Sequence, residues 1–568
     1  MASVSSFTTR EGGPFQTHTV ANQVPPLQDI DVFSSNTPLV EAMRREGGGW
    51  AIERAAELGR FVGGEPQQLW GRQANENKPI LHTHDRYGNR IDEVEFHPSW
   101  HKLMRMGVEN ELHCLPWTSE QQGGHVARAG LYMTAMQAEA GFCCPITMTF
   151  AVLPALRATP ELAAEWEPLL TATTYDPRLI GAAEKGSAIS GMAMTEKQGG
   201  SDVRANTTIA RALNGGGAGA EYELTGHKWF CSAPMSDIFL VLAQTEEGLS
   251  CFLLPRILPD GARNSFHIQR LKDKLGNHSN ASSEVEFHGA WARMLGEPGR
   301  GVPTIIEMVG HTRLDCVIGG AAGMRAGVVA ATHHAAHRSA FGKHLIDQPL
   351  MRNVLADLCL ESEAATMLAM RLARAYDEAG EEQGASSEDL TDAHQFKRLA
   401  TAVAKYWVCK RAPNHAFESL ECLGGNGYVE ESGMPRLYRE APLASIWEGS
   451  GNVMSLDVLR ALVRTPRTLE VFIDELEQAR GADRRLDAHL DGLKDQFTDP
   501  STLEARARRV VEAMALGLQG SLLVRHGDHV VADAFCASRL AGDCGLEYGT
   551  LPAGLDFGAL IARNRPQS

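Results

Sequence analysis

From Ser187 to about residue 300 the chain changes texture, and that change most limits the folds open to it. On either side, apolar residues recur at helical spacing. Inside it they come as short β-rich runs: Ile189 to Met194, Glu221 to Leu224, Ile238 to Leu242 and Ser282 to Phe287. Turn residues separate the runs, namely Asn214-Gly215-Gly216-Gly217, Pro259-Asp260-Gly261 and Gly276-Asn277. Such spacing predicts an antiparallel barrel or sandwich of roughly 110 residues. The triple glycine reads as a hairpin tip, because no Gly-x-Gly-x-x-Gly opens a helix there.

The expected fold class is therefore α+β, mostly α. Residues 1–40, polar and containing Pro25-Pro26, read as an extended arm lying over the body. Residues 41–186 read as an N-terminal helical domain and 187–300 as the central β-domain. Residues 301–464 are helical again, and after Thr465-Pro466 an additional helical domain runs over 465–568. The acidic stretch from Asp377 to Asp392, with seven carboxylates, reads as a solvated connection between two helices.

At 568 residues the chain has room for several domains, and 43% hydrophobic with 22% charged residues suits a globular protein. No run of eighteen apolar residues occurs, so neither a spanning helix nor a membrane partner is expected. The start, Met1-Ala2-Ser3-Val4-Ser5-Ser6-Phe7, lacks the basic and apolar regions of a secretory signal. Eleven cysteines, with Cys143-Cys144 adjacent and no Cys-x-x-Cys, read as reduced, buried thiols of a cytoplasmic protein. A net charge of −16 argues against a surface that grips nucleic acid everywhere, while leaving room for one basic channel.

Chemistry is concentrated in a few segments. In Ser445-Ile446-Trp447-Glu448-Gly449-Ser450-Gly451-Asn452, a carboxylate stands beside a glycine turn, and the next run, Val453 to Leu459, has helical spacing. A carboxylate held by such a turn can take a proton from carbon if a cofactor accepts the electrons. The same sequence is also an ordinary helix entry. Met192-Ala193-Met194-Thr195-Glu196-Lys197-Gln198-Gly199-Gly200-Ser201 leaves a strand and enters a Gly-Gly turn. Its hydroxyls and free N–H groups can bind the edge of a heterocycle and a phosphate, or simply cap a β-turn. Gly226-His227-Lys228-Trp229-Phe230-Cys231-Ser232 reads as a second strand, whose aromatic side chains can cover a flavin or fill a core. In Arg338-Ser339-Ala340-Phe341-Gly342-Lys343, the Arg can pair with a pyrophosphate and the Phe can flank an adenine. Gly424, Gly425 and Gly427 crowd a helix end, where backbone can approach a ligand closely. His333 and His337 have the i,i+4 spacing of metal ligands, but no cysteine or carboxylate accompanies them nearby in sequence, so no metal is expected.

These ordered segments resemble the acyl-CoA dehydrogenase family, over about residues 110–460. The resemblance implies a helical domain, a β-domain and a C-terminal four-helix bundle, with FAD between them. Met192, Met194, Thr195, Gly200 and Ser201, with Phe230, Cys231 and Ser232, would line the isoalloxazine. Arg338, Phe341, Gly424 and Gly425 would serve the ADP part, across a subunit interface. Ile446, Trp447, Gly449, Ser450, Asn452 and Leu456 would complete the flavin site, with Glu448 in the slot of the catalytic base. Some family members carry the base immediately before an arginine that here is Arg313, a substrate-side residue; Thr312 stands in that slot, so Glu448 is the available base. Asp315 reads as structural.

Phrases such as Phe96-His97-Pro98-Ser99-Trp100-His101, Lys197-Gln198 and Arg270-Leu271-Lys272-Asp273-Lys274-Leu275-Gly276-Asn277 are similar to the AidB subfamily of alkylation-response flavoproteins. That extends the resemblance over nearly the whole chain. It implies FAD, a homotetramer and duplex DNA bound through the C-terminal domain. Two departures stand out. Val309 and Gly310 replace the Phe-Asp with which ordinary members contact CoA, and segment 468–568 carries 11 Lys and Arg against 16 Asp and Glu. Its clusters Arg484-Arg485 and Arg506-Ala507-Arg508-Arg509 can line a groove or be solvated helix faces.

Three functions follow. The first is α,β-dehydrogenation of a short or branched acyl-CoA, with Glu448 as base, an unnamed electron acceptor, and a cavity shortened by Trp447 where a tyrosine is common. The second is a DNA-binding flavoprotein that protects duplex DNA in the alkylation response, with weak or vestigial dehydrogenase activity. The third is a vestigial flavoprotein in which FAD staples the fold.

Overall fold

The computed structural model describes residues 17–380 and 391–566. Coil from Thr17 leads into α1 (Thr37–Glu46), then α2 (Ile52–Val62) and α3 (Glu65–Glu76). A small hairpin, β1 (Ile80–His84) and β2 (Arg90–Glu95), interrupts the helical domain, a break that helical periodicity does not foretell. Next come α4 (Pro98–Glu109), α5 (Leu115–Thr118), α6 (Gly124–Ala135), α7 (Cys143–Leu156) and α8 (Pro160–Leu170). Prolines in the first turn start α1, α3, α4 and α8, where a missing N–H costs nothing.

The β-domain comprises β3 (Ser190–Ala193), β4 (Ile209–Ala212), β5 (Glu221–Ser232), β6 (Ile238–Thr245), β7 (Gly248–Pro255), β8 (Phe266–Leu271) and β9 (Ser282–Leu295). Pairings β6–β4–β5–β9–β7 return to β6, so these five strands close into a barrel, with β3 added alongside β6 and β8 alongside β9. The expected antiparallel pattern holds except where β3 and the first residue of β4, Ile209, meet β6 in parallel. The two runs expected as separate strands, Glu221 to Leu224 and Gly226 to Ser232, are one strand with a register shift between Leu224 and Thr225. The triple glycine joins β4 to β5, and all three residues have positive φ.

Beyond the barrel runs α9 (Gly301–His337), followed by the two-residue strands β10 (Ser339–Ala340) and β11 (Lys343–His344). Then come α10 (Pro349–Ala379), α11 (Asp392–Glu421), α12 (Met434–Glu440) and α13 (Gly451–Arg464). The helices α9, α10 and α11 pack on one another, and α13 packs on α11 to complete a bundle. The middle of the acidic connection, 381–390, lies outside the described residues. The chain ends with α14 (Arg467–Glu477), α15 (Arg484–Asp495), α16 (Ala507–His526), α17 (His529–Phe535) and α18 (Phe557–Asn564). These share one hydrophobic core with the bundle: α16 packs on α10 and α11, and α18 on α10.

Among the described residues one helix, α9, is long and apolar enough to match a membrane span, although polar residues interrupt its apolar run. Its most apolar window is 72% buried by protein, as suits a core helix. All eleven cysteines are unpaired thiols, and all but Cys544 are buried.

Candidate functional site

A cavity of about 1170 Å³ opens between the barrel, α7, α9 and the turn before α13. Its β-wall is made by local strand geometry. After β3 the chain enters the Gly199-Gly200 turn, and Met192, Met194, Thr195, Gly200 and Ser201 all face the cavity. That loop is pinned by Glu196, whose Oε1 accepts from Lys228 Nζ at 2.8 Å with both side chains fully buried. Burial alone would raise the Glu196 carboxyl; Lys228 and the Thr207 N–H outweigh it and hold it at about 2. The loop's carboxylate is therefore structural. On β5 side chains alternate, so Phe230 and Ser232 face the cavity while Cys231 turns into the barrel core. Cys231 thus does not line the cavity.

Opposite this wall stands the Glu448 turn. Glu448 and Gly449 both adopt the left-handed region, with φ of 57° and 107°, and Ser450 is the N-cap of α13. A left-handed glutamate is strained and persists only where its surroundings fasten it. Three residues do so. Thr312 Oγ1 donates to Glu448 Oε2 at 2.8 Å, and Arg313 Nε donates to the Glu448 carbonyl at 3.0 Å. From α11, Lys405 Nζ donates to the Trp447 carbonyl at 2.8 Å and also to the Gly449 carbonyl. Burial raises the Glu448 carboxyl above its ordinary range, opposed by the Thr312 hydrogen bond and the Arg313 and Lys405 charges. A partly desolvated carboxylate of this kind is a stronger base than one in water. Ile446, Trp447, Gly449 and Ser450 also line the cavity.

Two of these supports are invisible to sequence reasoning. Thr312 stands out in the chain only as a residue that cannot be the base. Lys405 carries no signal at all, because a lysine within a helix ordinarily points to water; here it is 1% exposed. Arg313 lines the cavity, but its guanidinium is engaged by the Glu448 carbonyl and by Asp457, 2.9 Å away. Asp315 is structural, as expected: it forms a bidentate pair with Arg128 at 2.6 and 2.7 Å and accepts from Thr147 Oγ1.

Other expected residues lie elsewhere. Phe341, at the tip of the β10–β11 hairpin with φ 52°, is 99% exposed. Arg338 donates to the Asn22 carbonyl, pinning the N-terminal arm. Gly424 and Gly425 face open space, whereas Gly427 is required by packing, since a Cβ there would meet the Leu420 carbonyl at 2.1 Å. Asn452 accepts from Arg508 Nε at 2.8 Å and Leu456 is exposed; neither lines the cavity. His333 Nε2 donates to the Pro25 carbonyl and His337 Nδ1 to the His333 carbonyl, so both rings are engaged by backbone.

The C-terminal arginines do not gather into one free cluster. Arg485 pairs with Asp483 and Asp533, Arg506 ties down the loop around Gln496 and Asp499, and Arg508 holds Asn452. Arg484 and Arg509 are exposed.

Sequence comparison matches the family "Adaptive response protein AidB N-terminal domain" over residues 22–177. It also matches the acyl-CoA dehydrogenase middle domain over 191–290 and C-terminal domain over 299–463. AidB of Escherichia coli (strain K12) is 44% identical over 524 residues, 92% of this chain and 94% of that protein. The chain belongs to the acyl-CoA dehydrogenase family, on its AidB branch. A second relative, acyl-CoA dehydrogenase family member 11 of Caenorhabditis elegans, is 31% identical over 82% of this chain and 76% of its own. The crystal structure of Caenorhabditis elegans ACDH-11 in complex with C11-CoA superposes with a TM-score of 0.83 at 26% identity, covering 94% and 95% of the two chains. FAD is the cofactor expected of a family member, and the residues fit it. The cavity exceeds the roughly 300–1,000 Å³ usual for a single small ligand, and the buried Trp447 Nε1 on its lining has no partner among the described residues.

Proposed function

We propose that this protein binds FAD between the β-wall and the Glu448 turn and dehydrogenates a short or branched acyl-CoA at its α,β-carbons. The observation that carries this reading is the Glu448 carboxylate, fastened by Thr312 and facing the cavity. FAD, when bound, supplies the acceptor for the β-hydride. Glu448 takes the α-proton on its carboxylate, while Arg313 and Lys405 keep the turn from relaxing as the charge is lost. The Glu448 backbone N–H makes no hydrogen bond among the described residues, which leaves it for the thioester oxygen as that oxygen gains charge. On the β-wall, Thr195, Ser201 and Ser232 supply hydroxyls for the ring edge and phosphate, and Phe230 supplies an apolar face.

Anaerobic titration of the yellow protein with acyl-CoAs from short to long, followed by flavin bleaching, tests this. Unchanged absorbance across the panel would remove the dehydrogenase reading. In the same proposal Phe341 and the Gly424-Gly425 turn, exposed in one chain, bind the ADP part of FAD contributed across the interface of a cytoplasmic homotetramer. Light scattering gives the assembly size directly. The duplex-DNA alternative rests on the C-terminal arginines, three of which are already engaged within the chain; a low-salt anisotropy assay with duplex DNA decides it.

A further inference from the structure

The β-wall of the cavity contains a cation that the dehydrogenation above leaves unused. Lys274 follows β8 and lines the cavity together with Phe230, Ser232 and Ser282. Its Nζ donates to the Asn280 carbonyl and, at 3.3 Å, to Ser282 Oγ. Ser282 Oγ is in turn 3.4 Å from Ser232 Oγ, and the two serines are register partners on β9 and β5. Lys274 is half-buried, whereas the buried lysines beside it have counter-ions: Lys228 on β5 pairs with Glu196, and Lys185, just before the β-domain, pairs with Asp237, each at 2.8 Å. Lys274 has no carboxylate within 4 Å among the described residues. The charged and titratable groups around it are Cys144 on α7, Glu440 on α12, Lys78 before β1 and Glu139 before α7. Burial, with Lys78 adding to it, brings its ammonium down to about 8.

The hydrogen-bond directions follow from the donors. An ammonium can only donate, so Ser282 Oγ accepts from Lys274 and its own hydrogen is free for Ser232 Oγ. Ser232 then has its hydrogen left for the cavity side, where the Cys144 thiol on α7 is also within its reach. We propose that Lys274 is a positioning residue that acts through Ser282 to set Ser232 as a hydrogen-bond donor to the flavin, and so favours the reduced flavin. This rests on the flavin reading above. Two-electron reduction with uptake of one proton leaves one negative charge on the ring system, and a fixed cation and an oriented hydroxyl both stabilise charge that develops there. The effect works through an equilibrium, so it is read as a potential and not only as a rate.

The test is the midpoint potential of the FAD-loaded protein, from anaerobic dithionite titration against a reference dye, in wild type, Lys274→Gln, Lys274→Arg and Ser282→Ala. Lys274→Gln should displace the equilibrium toward oxidised flavin at least tenfold, which is about 30 mV for a two-electron couple. Lys274→Arg should restore most of that, and Ser282→Ala should move it the same way by less. An unchanged potential in Lys274→Gln with full FAD content overturns the proposal, and so does a shift in Lys274→Gln with none in Ser282→Ala. If Lys274→Gln cannot retain FAD, Ser282→Ala alone decides, and an unmoved potential there overturns the relay. A colourless wild type that cannot be reconstituted would instead fail the flavin reading itself.

Discussion

The Glu448 turn and the C-terminal arginines both carry charge that sequence marks as functional, yet the fold treats them in opposite ways. Around Glu448 the positive groups hold backbone carbonyls and leave the carboxylate facing a cavity, with Thr312 Oγ1 as its hydrogen-bond donor among the described residues. In the C-terminal segment the charges are spent on the chain itself: Arg485 on two aspartates, Arg506 on a loop, Arg508 on Asn452. A charge serves a ligand only if the fold fastens its backbone with other groups and leaves its polar atoms free. By that measure the Glu448 turn is a prepared site, and the arginine segment is mostly scaffold.

The comparison breaks most sharply at Glu448 itself. Replacing it with Gln should lower turnover about 10²–10⁴-fold, the usual contribution of a general base, while FAD content stays the same. Stopped-flow flavin reduction checks this, and retained activity would shift the base elsewhere. The fastening is tested next. Lys405→Met leaves the Trp447 and Gly449 carbonyls without their buried donor, at about 1–3 kcal/mol each. Its urea midpoint should fall, and substrate-dependent bleaching should weaken with it.

A smaller effect separates the carboxylate from its support. Burial raises the Glu448 carboxyl and the Thr312 hydrogen bond opposes that, so Thr312→Val should raise it further. Because the base must be ionised, the acid limb of the kcat/KM profile should move to higher pH, and a limb that stays in place would remove Thr312 from this role. The smallest effect lies among the arginines. If duplex DNA binds at all, Arg484→Ala with Arg509→Ala should flatten the salt slope by about one unit for each phosphate no longer neutralised. Arg506→Ala should chiefly lower the melting temperature, since its guanidinium holds the Gln496–Asp499 loop.

Much of this was legible in the chain because it depends on local pattern. Period-2 runs cut by Asn-Gly and Pro-Asp-Gly turns specify a β-domain wherever it is placed, and helical periodicity on either side specifies the flanking layers. The Glu-Gly-Ser-Gly run likewise marks a turn opening a helix, and α13 begins at Gly451. Closure of the sheet was not legible, since the parallel contacts of β3 and β4 with β6 join strands far apart in sequence. Nor was the choice between Phe230 and Cys231, adjacent residues that strand alternation sends to opposite faces. Lys405 shows the limit most plainly. The sequence by itself determined that a carboxylate stands on a glycine turn; only the tertiary structure decided that α9 brings Thr312 and Arg313, and α11 brings Lys405, to fasten it. Residues 448, 312 and 405 are distant along the chain, and a hydrogen bond acts over about 3 Å of space, which no local pattern encodes.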